Sequence, residues 1–347
     1  MKPSKTIWLL SAYRSASHAA WANWLVETFD EFNWQVLELP GRHFRWRIRG
    51  NPLSWLNKLP ESKPDLILAT SMVDLATLKG LHPQLANAAC IYYFHENQFA
   101  YPTSKKQHES VDPQMVQLYG ALAADKIFFN STYNRDSFLD GVDRLLNMLP
   151  DEVPDNITQG LKNKTALLPV PVSKIEPADQ KNPKLIVWNH RWEYDKAPEV
   201  FVEALHKLDK MNIDFQLALL GERPANKTTD LLHIEKYFSD KIIINEKVTK
   251  QDYQKYLSLS SIVVSTAIHE FQGLAMLEAV SAGAVPVVPD DLCYTEQYPA
   301  EFQYEANNSD ALADVLFRFL KSLPSSPDVS FWYDAALKQQ WYRALIE

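Results

Sequence analysis

"SIVVSTAIHEFQGLAMLEAVSAGAVPVV", residues 261–288, is the stretch whose reading decides the fold. A β-branched apolar run passes through a polar loop to Gly273, continues as the helical pattern "LAMLEAVSAG", and is followed by a second buried run, "VPVV". Strand, loop, helix and strand in so short a span form a βαβ unit, the building block of parallel sheets with helical crossovers. Gly283 ends the helix as a C-cap would. At the other end the backbone N–H groups of Gly273 and Leu274 are expected to point outward unpaired, and the helix dipole adds partial positive charge there, which suits a phosphate. Glu270 and Glu278, eight positions apart, flank this terminus. Two carboxylates on opposite sides of a bound diphosphate can accept from hydroxyls on each side. The spacing therefore predicts a nucleotide-sugar site, with Glu278 on the ribose and Glu270 on the hexose.

The same alternation of short apolar runs and amphipathic helices extends in both directions, so the class is α/β. "KLIVWN" (184–189), "FQLALLG" (215–221) and "KIIIN" (241–245) join the stretch above in one series of strands. "TIWLLSA" (6–12), "DLILATS" (65–71), "ACIYYF" (89–94) and "KIFFN" (126–130) form another, with a helix expected over 19–32. Two Rossmann-like units result, and a chain of 347 residues is long enough for two cores. "LPVPVSKIEPADQKNPK" (168–184), with its four prolines, is expected to be the linker. Residues 146–165 read as an irregular excursion. The expected division is an acceptor domain over 1–170, a donor domain over 184–325 and a terminal helix over 326–347 that crosses back to the first domain.

A second motif belongs with the two glutamates. In "VWNHRWEYDKAPEVF" (187–201), Arg191 and Lys196 fall on a strand-to-helix loop just before Pro198. This is a carboxyl strand edge, where open α/β sheets bind ligands. A guanidinium and an ammonium there neutralise a departing diphosphate. No Asp-x-Asp occurs in the sequence, so no bridging metal and no other cofactor is expected.

Composition narrows the remaining classes. No apolar run approaches the roughly 18 residues of a membrane span, and the first one is too short for a signal-peptide core, which leads to the expectation of a cytoplasmic protein. Cys90 and Cys293 lie far apart and offer neither a disulfide framework nor a zinc spacing. A net charge of −8 argues against nonspecific coating of nucleic acid while leaving room for a local basic patch. "RHFRWRIR" (42–49) is that patch. If extended, it places Arg45, Arg47 and Arg49 on one side, with Trp46 nearby, a combination suited to RNA phosphates and unstacked bases.

Taken together, "YFHENQFAYP" (93–102), "WRIR" (46–49), "HRWEYDKAPEVF" (190–201), "STAIHEFQGLAMLEAV" (265–280) and "PAEFQY" (299–304) resemble the tRNA-queuosine α-mannosyltransferases, within the retaining glycosyltransferases of the GT-B fold. The resemblance implies two Rossmann-like domains facing across a cleft, with GDP-mannose as donor. As acceptor it implies the cyclopentenediol of queuosine at the wobble position of tRNA-Asp. It implies catalytic roles for His95, Arg191, Lys196 and Glu270, with His95 near the anomeric centre of the transferred sugar. Arg14, His18, Asn97 and Gln98 join the arginine patch on the acceptor side, with capping of the following loop as the other reading of Asn97 and Gln98. Two features depart from the wider class: the first loop, "SAYRSASH" (11–18), lacks paired glycines, and Gln272 stands where many relatives carry Phe. Two other readings fit the motifs, transfer to a lipid or small-molecule acceptor and a nucleotide-sugar-binding protein without turnover. Neither a membrane nor an obligate protein partner is expected.

Overall fold

The computed structural model describes residues 5–101, 110–223 and 226–347. Pro102, the last residue of the "YFHENQFAYP" motif, and residues 1–4 lie outside them. Two compact units are present. One comprises the described residues up to Val170 together with Lys338–Glu347, and the other is Pro171–Leu337.

The first unit is built on a parallel sheet of six strands: β1 (Thr6–Arg14), β2 (Asn33–Pro40), β3 (Leu66–Thr70), β4 (Ala89–Phe94), β5 (Lys126–Phe129) and β6 (Thr165–Leu167). Their order is β2-β1-β3-β4-β5-β6. Every residue of β3 is buried, as the continuous apolar run "LILAT" requires when helices cover both faces. The second unit repeats the plan with β7 (Asn182–Trp188), β8 (Gln216–Leu219), β9 (Ile242–Asn245), β10 (Ser260–Val264), β11 (Val285–Pro289) and β12 (Gln303–Tyr304), in the order β12-β11-β10-β7-β8-β9. Strand order reverses between β7 and β10, whose carboxyl ends therefore bound a ligand-binding crevice.

Four local expectations are corrected. The first helix stops at Thr28 instead of running to residue 32, and the chain turns into β2. There the Trp34 indole donates to the Phe29 carbonyl at 2.8 Å and closes the turn. Residues 146–165 are ordered: they hold the end of the helix Thr132–Met148, the helix Ile157–Lys162 and the start of β6, which completes the sheet edge against β5. The proline-rich stretch holds the division between the units, at Val170 and Pro171, but not all of it is linker. Val172 and Ile175 are buried within the second unit, where the Ile175 N–H donates to Ser281 Oγ at 3.2 Å.

The fourth correction concerns "RHFRWRIR". It forms the start of a helix, Phe44–Trp55, and is not an extended strand. Pro52 within that helix denies the Ile48 carbonyl its usual N–H donor, and the Asn51 side chain supplies one at 3.1 Å. At 3.6 residues per turn Arg45 and Arg49 share a face, whereas Arg47 points away from them.

The terminal helix Asp334–Ile346 enters the first unit from Lys338 onward, as expected. Buried Trp341 donates to the Pro169 carbonyl at 2.9 Å and packs against Trp21 and Tyr93. Among the described residues no helix is long and apolar enough to cross a membrane.

Candidate active site

In the second unit the two motifs singled out by sequence meet at the β7/β10 crevice. After β7 the chain makes a short 3₁₀ turn, Tyr194–Lys196, and Ala197 then takes a left-handed conformation (φ 40°) before Pro198 opens the next helix. Such a backbone costs about 1–3 kcal/mol and persists only where its surroundings fix it. Thr266, just beyond β10, does so by donating to the carbonyls of Lys196 and Ala197 at 2.7 and 3.0 Å. Gly221, at the end of β8, is also required, because a Cβ there would lie 1.5 Å from the His190 carbonyl oxygen.

The result is a buried ion cluster. Lys196 Nζ donates to the His269 carbonyl at 2.7 Å and to Glu270 Oε2 at 3.2 Å, and it lies 3.2 Å from Asp195 Oδ2. Arg191 reaches Glu193 at 3.0 Å and Asp195 at 3.5 Å. Asp195 Oδ2 lies within ion-pair range of both cations, yet neither Asp195 oxygen has a hydrogen-bond partner, so the aspartate balances charge without locking either cation. Burial pushes the Glu270 carboxyl up, but Lys196, His190 and the Gly273 N–H together outweigh it and hold it at about 2. Burial likewise pulls Lys196 down, and Glu270 and Asp195 more than restore it. His190 and His269 are kept neutral, at about 3 and about 4, by burial first and then by the charge of Lys196.

The helix Leu274–Ser281 begins at Gly273 (φ 63°), a conformation that favours glycine, and no side chain caps it. The Gly273 N–H contributes to holding the Glu270 carboxyl down, and the Phe271 N–H donates to Glu270 Oε1 at 3.1 Å. Glu278 accepts from Tyr253 at 2.8 Å, and Asn189, the residue after β7, donates to the Tyr253 hydroxyl at 3.2 Å and to the Ala275 carbonyl at 2.7 Å. Burial raises the Glu278 carboxyl. Tyr253, Asn189, Asp195, His190 and His269 escaped sequence reading. Asp195 had a signal, an acidic residue beside Lys196; Tyr253 lies on a distant helix and had none.

In the first unit the residues expected on the acceptor side gather at the carboxyl edge of the sheet. His95 follows β4, and its ring sits 4.2 Å from that of His18 and edge-on to Trp21 and Tyr93 at 4.6 and 4.7 Å. Burial and then the neighbouring His18 keep His95 neutral, and its Nε2 is buried with no hydrogen-bond partner. Gln98 Nε2 is orphaned in the same way. Asn97 is not available to an acceptor. Its amide nitrogen is spent on Asn134 and Ser137 and its oxygen on the N–H groups of Phe99 and Ala100, so it caps the loop. Arg14 pairs with Glu38 at 2.7 Å and Arg49 with Asp74 at 2.8 Å. Trp46 is 51% exposed, Arg45 is exposed, and Arg47 Nε is buried without a partner.

Residues 6–172 match the family model "tRNA-queuosine alpha-mannosyltransferase N-terminal", and residues 172–328 match "Glycosyl transferases group 1". The chain is 34% identical over 329 residues to a Drosophila melanogaster protein described as tRNA-queuosine alpha-mannosyltransferase, covering 91% of this chain and 87% of that protein. Among solved structures it is similar to sucrose-phosphate synthase from Thermosynechococcus elongatus (TM-score 0.73, 13% identity, 99% of each chain). It is also similar to Anabaena HepE in complex with UDP and glucose (TM-score 0.70, 12% identity, 99% of each chain). At such identities these structures speak for the fold alone.

Proposed function

Because the chain belongs to the tRNA-queuosine alpha-mannosyltransferase family and has the GT-B fold, we propose that it transfers mannose from GDP-mannose, with retention, to the cyclopentenediol of queuosine in tRNA-Asp, in the cytoplasm. The observation that carries the reading is the pairing of Lys196 with Glu270 at 3.2 Å beside Gly273. It joins a cation suited to a diphosphate, a carboxylate suited to a sugar hydroxyl and a helix N-terminus at one switch point.

On this reading Arg191 and Lys196 take the negative charge that grows on the diphosphate as its bond to the anomeric carbon breaks, with no call on a metal. The acceptor hydroxyl attacks from the face that the diphosphate leaves, and its proton passes to the departing phosphate oxygen. Glu270 holds the hexose, Glu278 with Tyr253 holds the ribose, and Gly273 and Leu274 offer backbone N–H groups to phosphate. His95 lies against the transferred sugar. Arg45, Trp46 and Arg49 take the RNA. The test is incubation of the purified protein with a panel of nucleotide sugars and queuosine-containing tRNA, followed by mass spectrometry of the nucleosides. A hexose mass on queuosine from GDP-mannose alone is expected.

A further inference from the structure

Glu38 lies near the carboxyl end of β2 and did not stand out in the sequence. Its Oε2 accepts from Arg14 Nε at 2.7 Å, while its Oε1 is buried and no donor reaches it. A carboxylate oxygen stripped of water and left without a donor carries an uncompensated desolvation cost. Close by, His18 Nδ1 lies 2.7 Å from the Tyr13 carbonyl oxygen, which can only accept, so the ring proton is on Nδ1. Burial keeps this imidazole neutral, which leaves a lone pair on Nε2, and the Glu38 charge acts on the same ring.

Glu38 is bonded to Arg14 and His18 to Tyr13, consecutive residues at the end of β1, so Glu38 Oε1 and His18 Nε2 are two acceptors at the same strand end, each with its other half pinned by the protein. Arg14 already balances the Glu38 charge, so what the pair lacks is hydrogen-bond donors and not a cation. A phosphate brings only acceptors and does not fit. A neutral ligand with two adjacent hydroxyls does. We propose that Glu38 and His18 receive the two hydroxyls of the acceptor's vicinal diol in the complex without donor, before the attacking hydroxyl turns its proton to the departing phosphate, with Arg14 as the positioning residue that holds the Glu38 carboxylate in place. This assignment rests on the acceptor class proposed above.

The test compares equilibrium binding of two tRNAs that differ only in carrying queuosine or unmodified guanine at the modified position. The wild-type protein is expected to favour the diol-bearing tRNA by about tenfold or more, the worth of hydrogen bonds to charged and fixed acceptors. Glu38→Ala should abolish most of that preference while leaving affinity for the guanine tRNA and for GDP unchanged, the latter also reporting a folded protein. If Glu38→Ala does not bind GDP, Glu38→Gln, which keeps the Arg14 bond, replaces it, with a reduced preference expected. Retention of the full preference in the variant overturns the role of Glu38. A wild-type protein with no preference overturns instead the acceptor class on which the assignment rests, and the two failures are distinct.

Discussion

The carboxyl edges of the two sheets differ in the charge they gather, although both leave buried polar atoms without a hydrogen bond, among them Asn189 Oδ1, His190 Nε2 and both Asp195 oxygens in the second unit. In the second unit Arg191, Asp195, Lys196 and Glu270 compensate one another, and the backbone around them is stitched by Thr266. In the first unit His95 Nε2, Gln98 Nε2 and Glu38 Oε1 are buried and unmet. A charged ligand requires charges that are already fixed and already stabilised, since building them during reaction would cost reorganisation. A neutral ligand read by its hydroxyls requires orphaned acceptors and donors that it alone satisfies, and such a site rejects analogues lacking the group.

The largest effect should come from removing the centre of the compensated network. Lys196→Ala leaves Asp195 and Glu270 without their shared cation, and a buried pair broken in this way costs about 3–5 kcal/mol of stability. Turnover should fall about 100- to 1,000-fold, and by more than donor affinity, because diphosphate charge grows toward the transition state. Thermal melts and steady-state kinetics check both. Equal losses of rate and affinity would count against the charge argument.

The imidazoles sharpen the contrast through pH. His190 is pulled from 6.5 to about 3 and His269 from 6.5 to about 4, so the unfolded chain binds their protons more readily than the folded one. Their contribution to stability is complete above pH 6.5 and is lost as pH falls toward those values, by up to about 1.4 kcal/mol per pH unit for each histidine. In Lys196→Gln, NMR titration should find His190 and His269 shifted upward, since the lysine charge helps to hold them down, and His18 unmoved. A shift in His18 as well would show the two edges to be electrostatically coupled.

Next comes the division within the proposed donor site. Glu278→Ala, which also strips Tyr253 of its acceptor, should weaken GDP binding by about tenfold, the worth of one charge-assisted hydrogen bond. Glu270→Ala should spare GDP and impair use of the intact nucleotide sugar. Calorimetry with GDP separates the two, and a like effect of both would remove the assignment of ribose and hexose sides.

The smallest effect is expected at the helix Phe44–Trp55. Arg45→Gln and Arg49→Gln should each raise the KM for tRNA a few-fold and flatten its salt dependence by up to about one phosphate's slope. Arg47→Gln should not, because it points away from that face. Kinetics across a salt series decide it, and an Arg47 effect equal to the others would restore the extended reading of the patch.

Much of the fold was legible because apolar runs with helix-period segments between them leave little besides parallel sheets. The two donor motifs were legible because each combines a strand end, a loop and a helix start within a dozen or so residues. The strand β2 was not, since "NWQVLELP" is a half-exposed edge strand whose pattern blends into the preceding helix. Nor was the helix at residues 44–55, since alternating arginines imitate a strand and Pro52 reads as a breaker until Asn51 is seen to satisfy the carbonyl that it frees. Asn97 shows a different limit: its sequence context leaves open a ligand contact or a loop cap, and only its contacts with Asn134, Ser137, Phe99 and Ala100 select the cap.

By itself, then, the sequence determined the α/β class, the two series of strands, and which loops carry Arg191, Lys196, Glu270, Gly273 and Glu278, because those depend on local periodicity and on residues close in the chain. Only the tertiary structure decided which polar groups are spent and which are left over. Lys196 and Glu270 are 74 positions apart, and Tyr253 lies 25 from Glu278 and 64 from Asn189. Whether a side chain is compensated, capped or orphaned depends on what strand order brings beside it, and that order is set by burial of the whole sheet and not by any segment of it.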